Sequence, residues 1–511
     1  MKRSWTIFLL VNFILSACTP ASAPTSTPAT SATPLPTATT APTNTAVPTA
    51  TPTPISTIQV DDLSVPDPRV TNPELFDLLN PDAPIPQFVN AMNMAGINLT
   101  PKQVTQGITY VSTKADGAPL IDKDGNPFVV AVYNLDPSLF PENYRALAEP
   151  IPLMIAEKGE GGWEWKKISL KSLSEKEGIF LGSSGAYLDD PKFIKFLTTE
   201  FHKTESAFEF QWSLEDAGIF RPAENKFNFN ETDKRIRFAN KYGLRLQVLS
   251  LIWGNRAYLP NWLLNGNFSR EQYQEIVLNH IETVVSRYKG EVEEWAVINE
   301  LQKFPWEDGT RNGYWDQVFK GDHEWIFEAF KKSDEIDPES IKFINDAGIE
   351  FFGGEVRTGI ERASTIYNIV KEGRERGLNI NVGFQCHLYG KDYLNPTVRT
   401  KKLEAFRRMI QEYHKIGAEV LITELDIRMN EVNLSETEKL KLQAQIYQDI
   451  IKIVIEEGIT SITFFGVNDG LSWLNELPGA DATMFDSNYS PKAPYYSVLQ
   501  SFYDYLRNAS K

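Results

Sequence analysis

Two short apolar runs of this sequence end in carboxylates. Glu294-Trp295-Ala296-Val297-Ile298-Asn299-Glu300 closes on an amide and an acid, and Glu419 to Ile427 carries Glu424 and Asp426 where its hydrophobicity breaks. Both runs have the continuous apolar character of parallel strands buried on both faces. A carboxylate at the end of such a strand is costly unless it is paired or used. Glu300 and Glu424 therefore suggest a paired site, in which one carboxyl stays protonated and the other ionised because their surroundings differ. Amide, imidazole and aromatic groups gather at comparable run ends: Asn299, Asn345-Asp346, Gln385, His387, Asp426, and the block Phe465 to Asp469 followed by Ser472-Trp473. Such a set suits a sugar ring, whose hydroxyls need hydrogen bonds and whose apolar face stacks on aromatics. It does not suit phosphate, since no Gly-rich phosphate loop is present.

The elements that must position these groups alternate. Strand candidates begin at Ile179, Ala207, Leu244, Glu294, Ile341, Ile380, Val420 and Ser461, and helical patterns separate them: Asp190–Glu200, Glu231–Lys241, Ser269–Tyr288, Trp325–Glu335, Ser364–Arg376, Thr400–Lys415 and Ser435–Glu456, with Phe502–Arg507 closing the last. Eight strands alternating with helices predict an α/β fold, a (β/α)8 TIM barrel, somewhat larger than the ~250 residues typical of that architecture. Its active site lies at the C-terminal strand ends, where Glu300 and Glu424 fall near the fourth and seventh strands.

Trp295-x-x-x-Asn299-Glu300, Gln385-x-His387, Thr423-Glu424-Leu425-Asp426-Ile427 and Gly466-x-x-Asp469-x-x-Ser472-Trp473, with Phe485-Asp486 and Pro491-Lys492, resemble glycoside hydrolase family 10, the endo-β-1,4-xylanases. The resemblance spans about Leu170 to Tyr505. It implies a retaining double displacement on xylan, with Glu300 as acid/base and Glu424 as nucleophile. It also implies that Asn299 holds the 2-hydroxyl of the attacked sugar and that His387 and Asp426 orient Glu424. Gln385, Trp253 and Trp473 would line the substrate cleft. No metal or organic cofactor is required by this mechanism.

Three departures stand out. The family's Thr-x-Glu-Asn-x-x-Lys-Trp grip falls on a segment ending at Trp212, where Ala207, Phe208 and Gln211 replace the gripping residues. Leu249 and Gly254 stand where histidines are usual, and Phe465 where a tryptophan is usual. The expected outcome is retained chemistry with altered glycone subsites. Hydrolysis of a different β-linked glycan, or glycan binding on a retired hydrolase scaffold, are the alternatives.

The remaining chain frames this domain. Residues 1–17 read as a lipoprotein signal peptide, too short for a membrane span, with Cys18 the lipidation site. Residues 18–57 are a Thr/Pro/Ala/Ser spacer, with no charge before Asp61, that cannot bury a core. Residues 58–168 show short β-like runs and turns and are expected to form a small β-rich module, binding carbohydrate through Trp163 and Trp165 or, preferably, bracing the catalytic domain at 169–511. Asp122 to Pro127 reads as a turn rather than a calcium loop. Cys386 is expected to be a small buried strand residue. A net charge of −16 argues against nucleic acid as a partner. The expected protein is a monomer acting on a polysaccharide outside the cell, tethered to the bacterial surface by lipid.

Overall fold

In the computed structural model, described over residues 57–508 except 137, 139–146, 148–149, 207, 215–218, 302–312 and 352–359, the strand-then-helix rhythm closes into a cylinder. Its strands are β1 Phe180–Ser184, β2 Lys203–Glu205, β3 Arg245–Trp253, β4 Glu294–Asn299, β5 Ile341–Asp346, β6 Asn381–Phe384, β7 Val420–Arg428 and β8 Ser461–Phe464. Every neighbouring pair is parallel, and β8 returns to β1 while β6 meets β7. This is a (β/α)8 TIM barrel. A further short strand, His387–Tyr389, runs on from β6 and pairs with the outer part of β7, setting His387 opposite Asp426. The signal segment, Cys18, the spacer up to Ser56 and Ala207 lie outside the described residues, while Thr57, counted with the spacer, opens a short strand Thr57–Val60.

The helices begin where local chemistry satisfies their first amide groups. Ser269 and Ser435 each form a capping box, with Gln272 and Glu438 as partners. Asn395 caps Pro396–Lys415, and Asp190 caps Pro191–Glu200.

The expected second strand requires correction. Phe208 to Phe210 is not a strand; β2 is the polar triplet Lys203–Glu205. The apolar residue Phe210 instead packs in the following loop against Phe220, Tyr288 and Trp295. Lys203 can occupy the barrel interior because its ammonium is satisfied there by Glu294 at 2.8 Å, Gln247 at 3.1 Å and Ser461 at 2.5 Å. The apolar counterpart is a layer of Leu249, Ala296, Phe343 and Leu421. The barrel is thus filled, not hollow.

The segment ahead of the barrel forms a four-stranded antiparallel sheet of Ile108–Val111, Phe128–Asn134, Pro150–Gly159 and Gly162–Lys167, together with helices Pro84–Met94 and Pro101–Gly107. Its β-rich character holds, but the helices go beyond the expectation. Asp122 is in a turn: its carboxylate accepts the amides of Asp124 and Asn126. Trp165 is buried, with its indole N–H on the Pro66 carbonyl at 2.7 Å, while Trp163 is half-buried against the core.

This segment packs on the last helix, Ala493–Asn508. The Phe88 and Tyr496 rings lie 5.0 Å apart, and the Leu147 amide donates to Gln500 at 3.0 Å. Phe88 is fully buried. Phe88→Ala is therefore expected to lower stability by about 3–5 kcal/mol, measurable by denaturant unfolding, with the active-site residues untouched.

Candidate active site

Glu300 follows directly on β4 with φ of +47°, a left-handed conformation unusual for a residue with a side chain. Its amide is fixed by the Asn345 carbonyl at 2.8 Å. Two donors hold its carboxyl: the Trp253 indole N–H at 3.0 Å on Oε2 and the Gln385 amide at 3.2 Å on Oε1. Burial raises the Glu300 pKa above the usual carboxylate range and the charge of Glu424 adds to it, while the bonds from Gln385 and Trp253 pull it back. A carboxyl in that state can carry a proton to a leaving group.

Glu424 sits on β7 and is only 6% exposed. Its Oε1 accepts from the Asn345 amide at 2.8 Å, and its Oε2 lies 3.1 Å from His387 Nε2. The Asn345 amide is turned so that its nitrogen meets Glu424 Oε1, which can only accept, while its Oδ1 accepts the Thr423 hydroxyl at 2.6 Å. It also donates to Asn299 Oδ1 at 2.8 Å, and Gln385 reaches the same oxygen at 3.4 Å. Glu300 and Glu424 are therefore joined by one chain of amides, Gln385, Asn299 and Asn345.

His387 lies between two acids, with Asp426 Oδ2 3.0 Å from Nδ1. Burial alone would lower its pKa, but Asp426 and Glu424 outweigh burial and raise it well above the usual value. Asp426 Oδ2 also accepts the Trp473 indole N–H at 2.7 Å. Trp473 is 46% exposed, so one edge of its ring is anchored and much of its surface meets solvent. Its loop is held by Asp469, which pairs with Lys492 at 2.7 Å and accepts the Thr483 hydroxyl at 2.9 Å. Gly466, at φ of +103°, lets this loop pass with Ser472 Cα only 3.3 Å from where a Cβ would stand.

All the predicted carboxylate, amide, imidazole and indole groups thus meet at one end of the barrel. Cys386 is buried, but it is not in a strand. It sits between β6 and His387 with φ of +57°, and that turn delivers both Gln385 and His387 to the carboxylates. Asn345 is the residue whose part exceeds the sequence expectation. It stood among the strand-end groups without a role, and only the β4–β5 register, with Asn299 opposite Asn345, places it between the acids.

The departures also find physical reasons. Gln211 is buried, its amide donated to the Leu249 carbonyl at 3.0 Å. Phe208 lies parallel to Tyr258, centroids 5.7 Å apart, and Tyr258 stacks in turn on Trp253 at 4.5 Å. At Gly254 a Cβ would meet the Tyr314 amide nitrogen at 3.1 Å, so the backbone at 313–314 occupies the room a histidine would need. Phe465 and His387 pack edge to face, with ring centroids 5.2 Å apart.

The chain is similar to known proteins. Glycosyl hydrolase family 10 matches residues 190–501. The chain belongs to glycosyl hydrolase family 10. Endo-1,4-beta-xylanase B of Thermotoga neapolitana is 29% identical over 353 residues, 66% of this chain and 93% of that protein. Endo-1,4-beta-xylanase A of Thermotoga maritima is 31% identical over 336 residues, covering 63% of this chain and 30% of the relative. Among solved structures, xylanase 10B of Thermotoga petrophila in complex with xylobiose superposes with a TM-score of 0.58 at 28% identity, covering 67% of this chain and 99% of that one.

Proposed function

We propose that this family 10 chain hydrolyses internal β-1,4 bonds of xylan by a retaining double displacement. The observation that carries the proposal is the pair of differently held carboxyls. Burial raises the Glu300 pKa, while Glu424 accepts from Asn345 and contacts His387. Glu300 protonates the leaving oxygen as Glu424 attacks the anomeric carbon, and Glu300 then activates the water that releases the sugar. His387 and Asp426 orient Glu424, Asn299 contacts the 2-hydroxyl, and Gln385, Trp253 and Trp473 line the cleft. The names of the Thermotoga relatives support xylan as the substrate.

The glycone side is the altered part. Where the family grips a sugar with polar groups, this chain has Phe208, Tyr258 and Trp253 ring on ring and Gln211 turned into the fold. Apolar contact replaces hydrogen bonding there, which weakens discrimination between sugars differing by a hydroxyl. We further assign residues 1–17 as a lipoprotein signal, Cys18 as a lipid anchor at the bacterial surface, residues 18–57 as a spacer, and 58–168 as a brace for the catalytic domain, the whole acting as a monomer.

The test is release of reducing ends from linear xylan, arabinoxylan and β-glucan by residues 57–511, with Glu424→Gln as control. Release from a xylan that vanishes in the control is the expected result. Release from β-glucan alone would move the substrate to another β-linked glycan, and silence on all three with retained binding would leave a glycan-binding protein. Gln385→Ala removes a bond that holds the Glu300 pKa down. Its alkaline limb of kcat/KM is therefore expected to move to higher pH while kcat/KM at the optimum falls about tenfold, read from pH profiles on one xylan.

A further inference from the structure

A third carboxyl lies on the barrel floor, and the double displacement does not use it. Glu205 ends β2 and is 2% exposed. The side-chain amide of Gln247 donates to Glu205 Oε2 at 3.3 Å and to the carbonyl of Thr423, the residue before Glu424, at 3.4 Å. That amide is fixed in orientation, because Gln247 Oε1 accepts from Lys203 at 3.1 Å and from Thr463 at 2.9 Å. Glu205 is thus tied through one amide to the backbone that carries Glu424.

The charges around it are already matched elsewhere. Lys203 pairs with Glu294 at 2.8 Å, and Glu294 also accepts from Ser461 at 2.7 Å. Arg235, reaching in from helix Asn230–Tyr242, is paired with Glu209. His387 is held between Asp426 and Glu424. Among the described residues, Glu205 forms no ion pair of its own. A buried carboxyl without a counter-ion keeps its proton.

We propose that Glu205 is a positioning residue for Glu424: a third carboxyl of the barrel floor that stays protonated while Glu424 is ionised, so that a neutral acid, not a second negative charge, is tied through Gln247 to the backbone of the attacking carboxylate. This rests on Glu424 being the attacking group. Burial, and after it the charge of Glu424, raise the Glu205 pKa well above the usual range, against the smaller opposing pull of Lys203, Arg235 and His387. When Glu205 does ionise, its charge pushes electron density from Glu424 toward the departing group. Attack then becomes faster at high pH.

The test uses Glu300→Ala protein and an aryl β-xylobioside whose leaving group needs no acid, which removes the ionisation of Glu300 from the profile. In that background kcat/KM is expected to rise severalfold on the alkaline side, and Glu205→Gln, an isostere of the protonated acid, is expected to hold it flat at the lower plateau. Superimposable profiles overturn the proposal, as does a loss above a hundredfold at every pH from folded Glu205→Gln protein. A second measurement needs neither that variant nor any turnover. Carboxyl resonances of glutamate-labelled Glu300→Gln protein are compared with those of Glu300→Gln/Glu424→Gln. Loss of the Glu424 charge is expected to move one buried glutamate titration about one pH unit lower, and no such movement overturns the proposal. Failure of the parent to cleave the aryl xylobioside, with the coupled titration present, would instead sink the proposed reaction alone.

Discussion

Glu424→Gln is expected to lower kcat/KM on xylan by about 10⁴-fold or more while leaving the fold in place. An amide oxygen has no charge to form the glycosyl ester, so the first step loses its nucleophile. Little else changes. The Asn345 donor at 2.8 Å still finds an oxygen at that position, and His387 keeps Asp426 at 3.0 Å. Unfolding free energy is expected to stay within about 1 kcal/mol of the parent, because an isosteric amide preserves packing and most hydrogen bonds. Steady-state kinetics beside denaturant unfolding checks both halves; activity within tenfold of the parent would remove Glu424 from the role given to it.

The second large effect depends on the leaving group. Glu300→Ala is expected to reduce turnover of xylan by about 10³-fold or more, since a sugar alkoxide departs only with a proton. An aryl xylobioside with an acidic phenol leaves unaided, so its first step is expected to survive within about tenfold. The second step still lacks its general base, so a burst of phenol followed by a slow phase is the expected time course. Equal losses on both substrates would show that Glu300 acts by shape and not as an acid. The cavity left by the deletion also strands the Trp253 indole N–H, bonded to Glu300 at 3.0 Å, and the Gln385 amide at 3.2 Å. Glu300→Gln separates that structural cost from the lost proton.

The sequence made the barrel and both acids legible because its strands, buried on both faces, are continuous apolar runs, and a charge at the end of such a run is conspicuous. Trp295 to Glu300 and Val420 to Asp426 stand where expected. The same rule concealed β2. Lys203-Thr204-Glu205 has no apolar signal, since its environment is a polar network contributed by Gln247, Glu294, Ser461 and Thr463, which no local pattern announces. Phe208 and Phe210 mimicked a strand because loop aromatics pack as densely as strand residues. Asn345 was visible as a residue but not as a link, since its part depends on strand register. Cys386 was misplaced because a single left-handed residue breaks strand pairing without altering composition.

A glycosidase built this way also carries more buried acid than its reaction needs. Asp346, at the end of β5, has its pKa pushed up to about 8, chiefly by burial, despite Arg362 at 3.0 Å. Burial likewise raises the Glu205 pKa.

The most direct measurement is proton NMR of the first products released from xylan by residues 57–511. Retention through Glu424 predicts that the β-anomer of the new reducing end appears first, that it mutarotates only later, and that neither anomer appears with Glu424→Gln. Initial formation of the α-anomer would contradict a covalent glycosyl intermediate on Glu424.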